Sequence, residues 1–248
     1  MKSNNSTLQI AKADCFKVDG DAKKAVWRKI KEIVFRDAVT GKTIEKNQAK
    51  AKMLWSDEGL FLLWIVEDGH IWGTYRKDDD PIYKEEVVEI FIGAGKDVPK
   101  DYFEFQFSPL GVKFDAKISN PTGSRHDKEF EVDVGWNCEG LKFVQKTISR
   151  RHPELPPATP ERSDGGRGDS GSIHTESILL AGRWITEAFI PWQSIGVKSV
   201  KSGDIFRANL FRIDGYPKQN SFQAWQPTFQ DPPNFHVPEK FGYIESVK

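Results

Sequence analysis

The sequence predicts an all-β fold, a two-sheet antiparallel β-sandwich of the jelly-roll or immunoglobulin-like type with short helical turns. Two observations predict it. About ten short segments are continuously apolar or alternate between apolar and polar residues, and polar turns containing glycine or proline separate many of them. The composition agrees, because 17 Phe, 8 Trp and 5 Tyr supply side chains that favour strands. We find no segment with a long helical period.

The elements follow from the local pattern in chain order. Residues 51–55 and 60–67 are apolar runs on either side of a polar turn, which predicts a hairpin. The further predicted strands cover residues 86–93, 102–108, 112–118, 141–149, 172–180, 184–190, 205–213 and 242–247. One helical turn is expected at 191–195, because proline favours the first position of a helix. The segment 27–37 is ambiguous and leans towards strand at Ile33, Val34 and Phe35.

The strand at 102–108, with the sequence YFEFQFS, has the clearest alternation. Its three phenylalanines share one face, and Tyr102, Glu104 and Gln106 share the other. The polar face is expected either to be solvated or to belong to a site.

We expect one domain over residues 1–248, since sandwiches of about 200–250 residues often form a single one. Residues 150–171 (RRHPELPPATPERSDGGRGDSG) differ from the rest of the chain. They are rich in proline, glycine and charge and have no apolar periodicity. This segment is therefore predicted to be a long surface insertion.

The charge balance excludes some partners. Lys+Arg and Asp+Glu are both 36, so the net charge is zero and offers no field that would attract nucleic acid or an anionic membrane. No apolar run is long enough for membrane insertion. The sequence as written begins without a signal peptide, but an export signal could have been removed, so we expect a periplasmic or extracellular protein and keep a cytoplasmic one open. Cys15 and Cys138 form either one disulfide or two buried thiols, and we favour the thiols.

Six motifs occur in an order that resembles the family 9 carbohydrate-binding modules and their stand-alone, often xylanase-associated relatives. They lie at 53–61 (MLWSDEGLF), 82–92 (IYKEEVVEIFI), 102–111, 184–192 (WITEAFIPW), 209–214 (NLFRID) and 225–242. The resemblance covers residues 15–247, with 150–171 as an insertion. It implies a β-sandwich that binds an oligosaccharide or polysaccharide without cleaving it and serves in polysaccharide breakdown.

The resemblance also implies a set of site residues. The two tryptophans that hold a sugar chain end in the family match Tyr83 and Phe235, and the glutamate that reads hydroxyl groups matches Glu89. Gln106 stands where the family has an arginine. With neighbouring polar and aromatic residues, the predicted carbohydrate-binding set is Tyr83, Glu89, Gln106, Arg212, Trp225, Asn234 and Phe235.

The residues themselves support this interpretation. An aromatic ring covers the apolar face of a sugar, while polar side chains bind its hydroxyl groups. Tyr83 and Phe235 lie in predicted loops, where core packing is less necessary, although edge packing is the alternative. Glu89 lies within an apolar strand, where a carboxylate is costly unless it is paired or faces a solvated cleft. The alternative for Glu89 is an internal salt bridge to Arg212.

A structural calcium ion is the one metal expectation, and no other cofactor is predicted. Asp78, Asp79 and Asp80 offer hard oxygen ligands, and the resembled family often carries calcium. A solvated acidic turn is the alternative, because the EF-hand spacing is absent.

Two other functions remain open at this stage. A glycoside hydrolase of the endo-xylanase type needs two carboxyl groups about 5–5.5 Å apart if it retains configuration. The chain offers Glu131 and Asp133 but has Trp136 where a third acid would be expected, and Glu86 and Glu89 point to opposite faces of a regular strand. The second alternative is a haem-binding domain of the DOMON-like type, for which Met53 would be the axial methionine.

Overall fold

The computed structural model describes residues 6–149, 180–215 and 221–248, and strands form most of it. The strands are β1 (Thr7–Lys12), β2 (Ile33–Val34), β3 (Arg36–Asp37), β4 (Ala49–Trp55), β5 (Gly59–Ile71), β6 (Val87–Ala94), β7 (Asp101–Phe107), β8 (Lys113–Ser119), β9 (Glu131–Asp133), β10 (Lys142–Ser149), β11 (Leu180–Pro191), β12 (Ile205–Asp214), β13 (Ser221–Ala224) and β14 (Gly242–Val247). The helical elements are α1 (Ala25–Arg28) and three 3-10 turns at Ile82–Lys84, Gln193–Ile195 and Pro238–Lys240.

The predicted strands agree with these elements, with three differences. The strand predicted at 172–180 lies outside the described residues except for Leu180, where β11 begins, and the insertion predicted at 150–171 lies wholly outside them. The ambiguous segment 27–37 contains the end of α1 and the two short strands β2 and β3. Strands β1, β9 and β13 were not predicted, because they are short and carry many polar residues.

The strands follow one hydrogen-bonded path, β10-β11-β5-β4-β1-β14-β12-β6-β7-β8-β9, which folds into two layers. The first layer holds β10, β11, β5 and β4, and the second holds β14, β12, β6, β7, β8 and β9. The prediction of a two-sheet sandwich is confirmed. Strand β1 is an exception to the antiparallel pairing, because it pairs in parallel with β14 over Thr7–Ala11 and with β4 at Ala11 and Lys12. Strand β1 lies between β4 of the first layer and β14 of the second, and both of these strands run in the same direction as β1.

The main core lies between the layers. Alternate residues of β4, β5 and β11 face alternate residues of β6, β7 and β12, and almost all are fully buried. Trp64 and Trp184 belong to this core, as the sequence predicted, and each large apolar side chain contributes about 1.5–3 kcal/mol by its burial. Met53 also lies here with 2% of its surface exposed, which argues against the haem-ligand alternative.

The outer face of the first layer is covered by the N-terminal segment. Trp27 of α1 is fully buried against an apolar cluster that includes Phe61 and Phe189. Beneath it lies Glu187 of β11, which is also fully buried. The carboxylate of Glu187 accepts hydrogen bonds from the Trp27 Nε1–H at 2.8 Å, the Gly20 N–H at 2.8 Å and the Lys24 Nζ at 2.6 Å, among others.

The outer face of the second layer is built differently. Strands β6, β7, β8 and β12 present a second apolar cluster there, which includes Phe91, Tyr102 and Phe211. Loops carrying Phe130 and Phe235 pack against it in place of a helix. These loops leave a cavity over the middle of the sheet, and the predicted site residues converge on it.

Two further expectations concern the cysteines and membrane insertion. Both cysteines are free thiols, Cys138 buried and Cys15 exposed, so the expectation of two buried thiols holds only for Cys138. None of the helices in the described ranges has the length and apolar character needed to cross a bilayer.

Candidate functional site

A cavity of about 420 Å³ opens on the outer face of the second layer. Its floor is formed by β6 and β7, and its walls by the 3-10 turn at Ile82–Lys84, strand β9 and the loops around Phe130 and Phe235. Aromatic and aliphatic side chains line most of it, and the polar side chains are few. This composition is typical of small-molecule sites in proteins.

The polar floor follows from strand parity and register. Glu89 of β6 lies directly opposite Gln106 of β7, and Glu104 is two residues away on the same face as Gln106. The predicted alternation of residues 102–108 is confirmed, since Glu104 and Gln106 share one face and line the cavity, and this polar face is buried. Glu89 and Gln106 are each 1% exposed, and Glu104 is 5% exposed.

The floor has hydrogen-bonding capacity that the protein does not use. The Gln106 Nε2–H donates to Glu104 Oε1. Glu89 Oε1 and Gln106 Oε1, in contrast, have no hydrogen-bond partner among the described residues although both are buried. Most buried polar atoms in proteins are paired, so two unpaired oxygens in one cavity require an explanation. A ligand that donates hydrogen bonds would provide it.

The carboxyl groups of the floor are held away from their usual charge states. Burial raises the pKa of Glu89 well above its usual range, and the nearby Glu104 raises it further. Burial also raises the pKa of Glu104 to about 7, against the opposing effects of the Gln106 hydrogen bond and of Arg125. Both shifts favour the protonated, uncharged form of these carboxyl groups in the folded protein.

His236 forms one side of the floor and is neutral. The Tyr102 hydroxyl lies 2.9 Å from His236 Nδ1, and Asn120 Nδ2 donates to the same hydroxyl at 3.4 Å. Burial lowers the pKa of His236 to about 3, and the Arg125 charge lowers it further. If Tyr102 donates to Nδ1, the His236 proton is on Nε2, which lies 3.8 Å from Glu104 Oε2.

Two of the predicted aromatic residues line the cavity together. Tyr83, in the 3-10 turn before β6, is 43% exposed and contacts Phe114 edge-on at 5.8 Å between ring centroids. Phe235 is 8% exposed and stacks on Phe211 at 4.1 Å with an interplanar angle of 11°. Tyr83 is thus an open surface at the rim, whereas Phe235 is a rigid wall supported from behind.

The structure places three other predicted site residues away from the cavity. Arg212 lies in β12 between Phe211 and Ile213, which face the cavity side, so its own side chain points between the layers. Its guanidinium is fully buried and bonds Asp68 Oδ2 at 2.7 Å, so the alternative of a Glu89–Arg212 salt bridge was also wrong. The register of β6 and β12 explains this, because Glu89 lies opposite Phe211 rather than Arg212.

Trp225 and Asn234 support the structure around the cavity without lining it. Trp225 packs against the core between the layers and lies against Gly242, where an added Cβ would approach the indole to 2.5 Å. Asn234 Oδ1 accepts a hydrogen bond from the His236 backbone N–H at 3.0 Å. This bond shapes the short turn that carries Phe235.

The aspartates proposed for calcium serve the local backbone instead. Asp78 Oδ1 accepts a hydrogen bond from the Lys113 N–H at 3.1 Å, and Asp80 Oδ2 accepts one from the Lys77 N–H at 3.1 Å. Asp79 has a left-handed backbone with φ of 65° and lies 3.8 Å from the Lys113 ammonium. Calcium binding at this turn remains a prediction that no geometric observation favours.

Among the described residues, one group of three carboxylates has oxygens within 4.8 Å of one another, and it consists of Asp68, Glu86 and Asp214. The Arg212 guanidinium lies 2.7 Å from Asp68 Oδ2 and 3.6 Å from Asp214 Oδ2, and Asn47 Nδ2 donates to Asp214 Oδ2 at 3.0 Å. Glu86 Oε1 alone of these atoms has no partner in the described chain. Calcium takes six to eight oxygens, so the group as arranged, with a guanidinium already in it, does not fit this ion.

Several cavity residues were missed by the sequence interpretation. Val132 of β9 and its neighbours Phe130 and Val134 form an apolar lip of the cavity, and the exposed Arg125 also lines it. His236 was not among the predicted site residues, although its position next to Phe235 was a signal. Loop residues such as these carry no periodicity, so only their neighbourhood could have suggested them.

Comparison with known proteins identifies a family and several similar chains. A family model described as carbohydrate family 9 binding domain-like matches residues 18–141. An "Extracellular protein" of Arthroderma benhamiae is 29% identical over 176 residues, covering 69% of this chain. The chain spans 65% of that relative's length.

Structural neighbours agree on the fold. A candidate carbohydrate-binding protein from Bacteroides uniformis superimposes with a TM-score of 0.69 at 17% identity, covering 98% of this chain and 100% of its own. A family 9 carbohydrate-binding module from Caldicellulosiruptor kristjanssonii in complex with cellotriose gives a TM-score of 0.57 at 14% identity, covering 98% of this chain and 94% of its own. Its glucose complex gives 0.56 at 14% identity, with coverages of 97% and 95%. Because the family model covers half of the sequence, from 18 to 141, this chain belongs to the carbohydrate family 9 binding domain-like family.

Proposed function

We propose that the cavity over β6 and β7 binds a unit or an end of a carbohydrate chain, and that it does so without cleaving it. The observation that carries this proposal is the pair of buried, unpartnered oxygens, Glu89 Oε1 and Gln106 Oε1, at the floor of an aromatic-walled cavity. Hydroxyl or amino groups of a sugar would donate to these oxygens. The rings of Tyr83 and Phe235 would cover the apolar face of the sugar.

The size and exposure of the cavity support a sugar. About 420 Å³ is in the range of small-ligand pockets and is enough for one or two sugar rings. The apolar lip of Val132 and Val134 is itself exposed, so a longer chain could continue past the rim. The family membership of the chain and the cellotriose and glucose complexes of its structural neighbours support the same ligand class.

The arrangement of acids argues against hydrolysis by the residues first suggested for it. Glu131 and Asp133 are exposed, and Val132 between them lines the cavity, so the two acids point away from it. Glu86 accepts a hydrogen bond from the Trp72 N–H on the face opposite to Glu89. We therefore expect no release of reducing sugar from xylan or cellulose.

Calorimetric titration with a panel of neutral, amino and acidic oligosaccharides tests the proposal. We expect at least one class to bind and Tyr83→Ala to weaken it by about tenfold, since an aromatic contact contributes about 0.5–1.5 kcal/mol beyond the area it buries. Phe229→Ala is the matched control, because Phe229 is 56% exposed and lies outside the cavity lining. The proposal fails if no glycan binds, or if both variants weaken binding equally.

We also infer that the protein is exported and forms a single domain. Similarity to a fungal protein named "Extracellular protein" and a carbohydrate ligand both support export. Strand β1 near the start of the sequence pairs with β14 near its end, which supports one domain over residues 1–248. Fractionation of the producing cells and a single cooperative unfolding transition are the respective tests.

A further inference from the structure

Three buried acids in the described residues are paired with a cation, whereas the acids of the cavity floor, like the buried Glu86, are not. Asp68, Glu187 and Asp115 each have a fully buried side chain, and each forms an ion pair with a basic side chain. Their partners are Arg212, Lys24 and Lys113, respectively. Three buried carboxylates are thus neutralised from within the chain, as physical chemistry requires for a stable buried charge.

Glu89 and Glu104 receive no such partner. Across residues 6–149, 180–215 and 221–248, neither carboxyl group forms an ion pair with lysine or arginine, and the nearest basic group is His236, 3.8 Å from Glu104 Oε2. His236 is uncharged at neutral pH because it is buried. Arg125 is exposed at the cavity; its charge lowers the pKa of Glu104, but it forms no ion pair with either acid. The floor therefore holds two buried acids that have no lysine or arginine ion-pair partner among the described residues.

The hydrogen-bonding pattern of the floor is equally one-sided. Within the part of the chain that the structure describes, Glu89 Oε1 and Gln106 Oε1 have no hydrogen-bond partner, and the contact found for Glu104 Oε2 is the long one to His236 Nε2 at 3.8 Å. When the carboxyl groups are ionised, all of these atoms are acceptors. An ammonium group offers three donors, no acceptor and one positive charge, so it complements both the charge and the hydrogen-bonding pattern of the floor.

We propose that the sugar bound in this cavity is an amino sugar, whose protonated primary amine lies between Glu89, Glu104 and Gln106. The inference rests on the proposed function, because it assigns the ligand class of the same cavity. A neutral sugar can also donate hydroxyl hydrogens to these oxygens, but it leaves the acid pair without a counter-charge. An N-acetylated sugar loses the positive charge and adds a carbonyl acceptor, and a uronic acid places a like charge on the floor.

Calorimetry with the wild-type protein tests the assignment without relying on a variant. The ligands are the β-1,4-linked trisaccharide of glucosamine, its fully N-acetylated form and cellotriose, which share one linkage and differ in the group at a single ring position. At about pH 7, close to the pKa of Glu104, we expect the glucosamine trisaccharide to bind at least about tenfold more tightly than the other two. Equal or tighter binding of cellotriose overturns the inference and leaves the proposed function standing. Absence of binding by all carbohydrates removes both.

Two variants, together with a measurement of the protons released on binding, test whether the acids of the cavity floor cause the preference for the amino sugar. Glu104→Gln keeps the shape of the side chain and removes its charge, so the tenfold preference should fall to about twofold or less. Glu131→Gln removes an exposed acid of β9 and should keep the full preference. Binding of the amino sugar should release protons from the acid pair, measured as a buffer-dependent enthalpy, whereas cellotriose should release none. A preference that persists in folded Glu104→Gln, or an absence of proton release, contradicts the inference.

Discussion

Replacement of Glu104 by glutamine should make the protein more stable at alkaline pH. The Glu104 side chain is buried in the cavity floor, and its burial raises the pKa from 4.5 to about 7. A carboxyl group whose pKa is higher in the folded state than in the unfolded state binds its proton more tightly when folded. Its contribution to stability is therefore complete below about pH 4.5 and is lost as the pH rises to about 7.

The size of the effect follows from the same two values. The difference between 4.5 and about 7 corresponds to about 3 kcal/mol, which is the free energy that ionisation of Glu104 removes from the folded state above neutral pH. Glutamine carries no charge at any pH and nearly the same volume. Its amide oxygen can accept the hydrogen bond that Gln106 Nε2 now donates to Glu104. Glu104→Gln should therefore match the wild type in acid and exceed it by about 3 kcal/mol at about pH 8.

Urea unfolding followed by fluorescence at about pH 4.5 and about pH 8 measures both values. Glu131→Gln serves as the control, because Glu131 is exposed and its replacement should change the free energy of unfolding by less than about 0.5 kcal/mol. The reasoning is refuted if Glu104→Gln shows the same difference from the wild type at the two pH values, or if it is the less stable protein at alkaline pH.

Three further substitutions separate the site from its scaffold. Tyr83→Ala should weaken carbohydrate binding about tenfold, as calculated above, and leave the free energy of unfolding within about 1 kcal/mol in urea titrations, because the ring is 43% exposed. Glu187→Ala should destabilise the protein by about 3–5 kcal/mol in the same assay, since it leaves the buried Trp27 Nε1–H and Gly20 N–H without their acceptor, whereas Lys24 keeps Asp19 as a partner. Arg212→Met should cost a similar amount, because it leaves Asp68 buried without its cation. If Arg212→Met instead changed only the dissociation constant for sugar, the placement of Arg212 between the layers would be wrong.

Much of the fold could be predicted because apolar periodicity survives in single strands. The alternation of residues 102–108 predicted which side chains of β7 share a face, and the structure places Glu104 and Gln106 together on the cavity side. Strand β9 could not be found in this way, because all three of its residues are exposed and nothing selects one face as apolar. Its pairing with β8 depends on neighbours that are distant in sequence.

Strand alternation and the order of the motifs predicted only part of the candidate site. Tyr83, Glu89, Gln106 and Phe235 meet in one cavity, as the motif order implied. The position of Arg212 was predicted wrongly because it depends on the register between two strands. The sequence of one strand predicts only which of its own side chains share a face. With Phe211 opposite Glu89, the arginine had to face the other side. His236 and Phe130 depend on loop conformation, for which the sequence offers no period.

Glu187 and Glu89 are buried on the outer faces of the two layers, and within the described residues only Glu187 has both carboxylate oxygens hydrogen-bonded. Glu187 of β11 accepts hydrogen bonds from the N-terminal segment, including the Gly20 N–H and the Trp27 Nε1–H, and the segment seals it from water. Glu89 of β6 is equally buried, but Glu89 Oε1 has no partner in the described chain. The described chain satisfies Glu187 but leaves Glu89 Oε1 unsatisfied beside an open cavity. An unsatisfied buried group destabilises the fold, and such groups are typical of functional sites. Under the proposed function, a sugar bound in the cavity would supply to Glu89 the hydrogen-bond donors that the N-terminal segment supplies to Glu187.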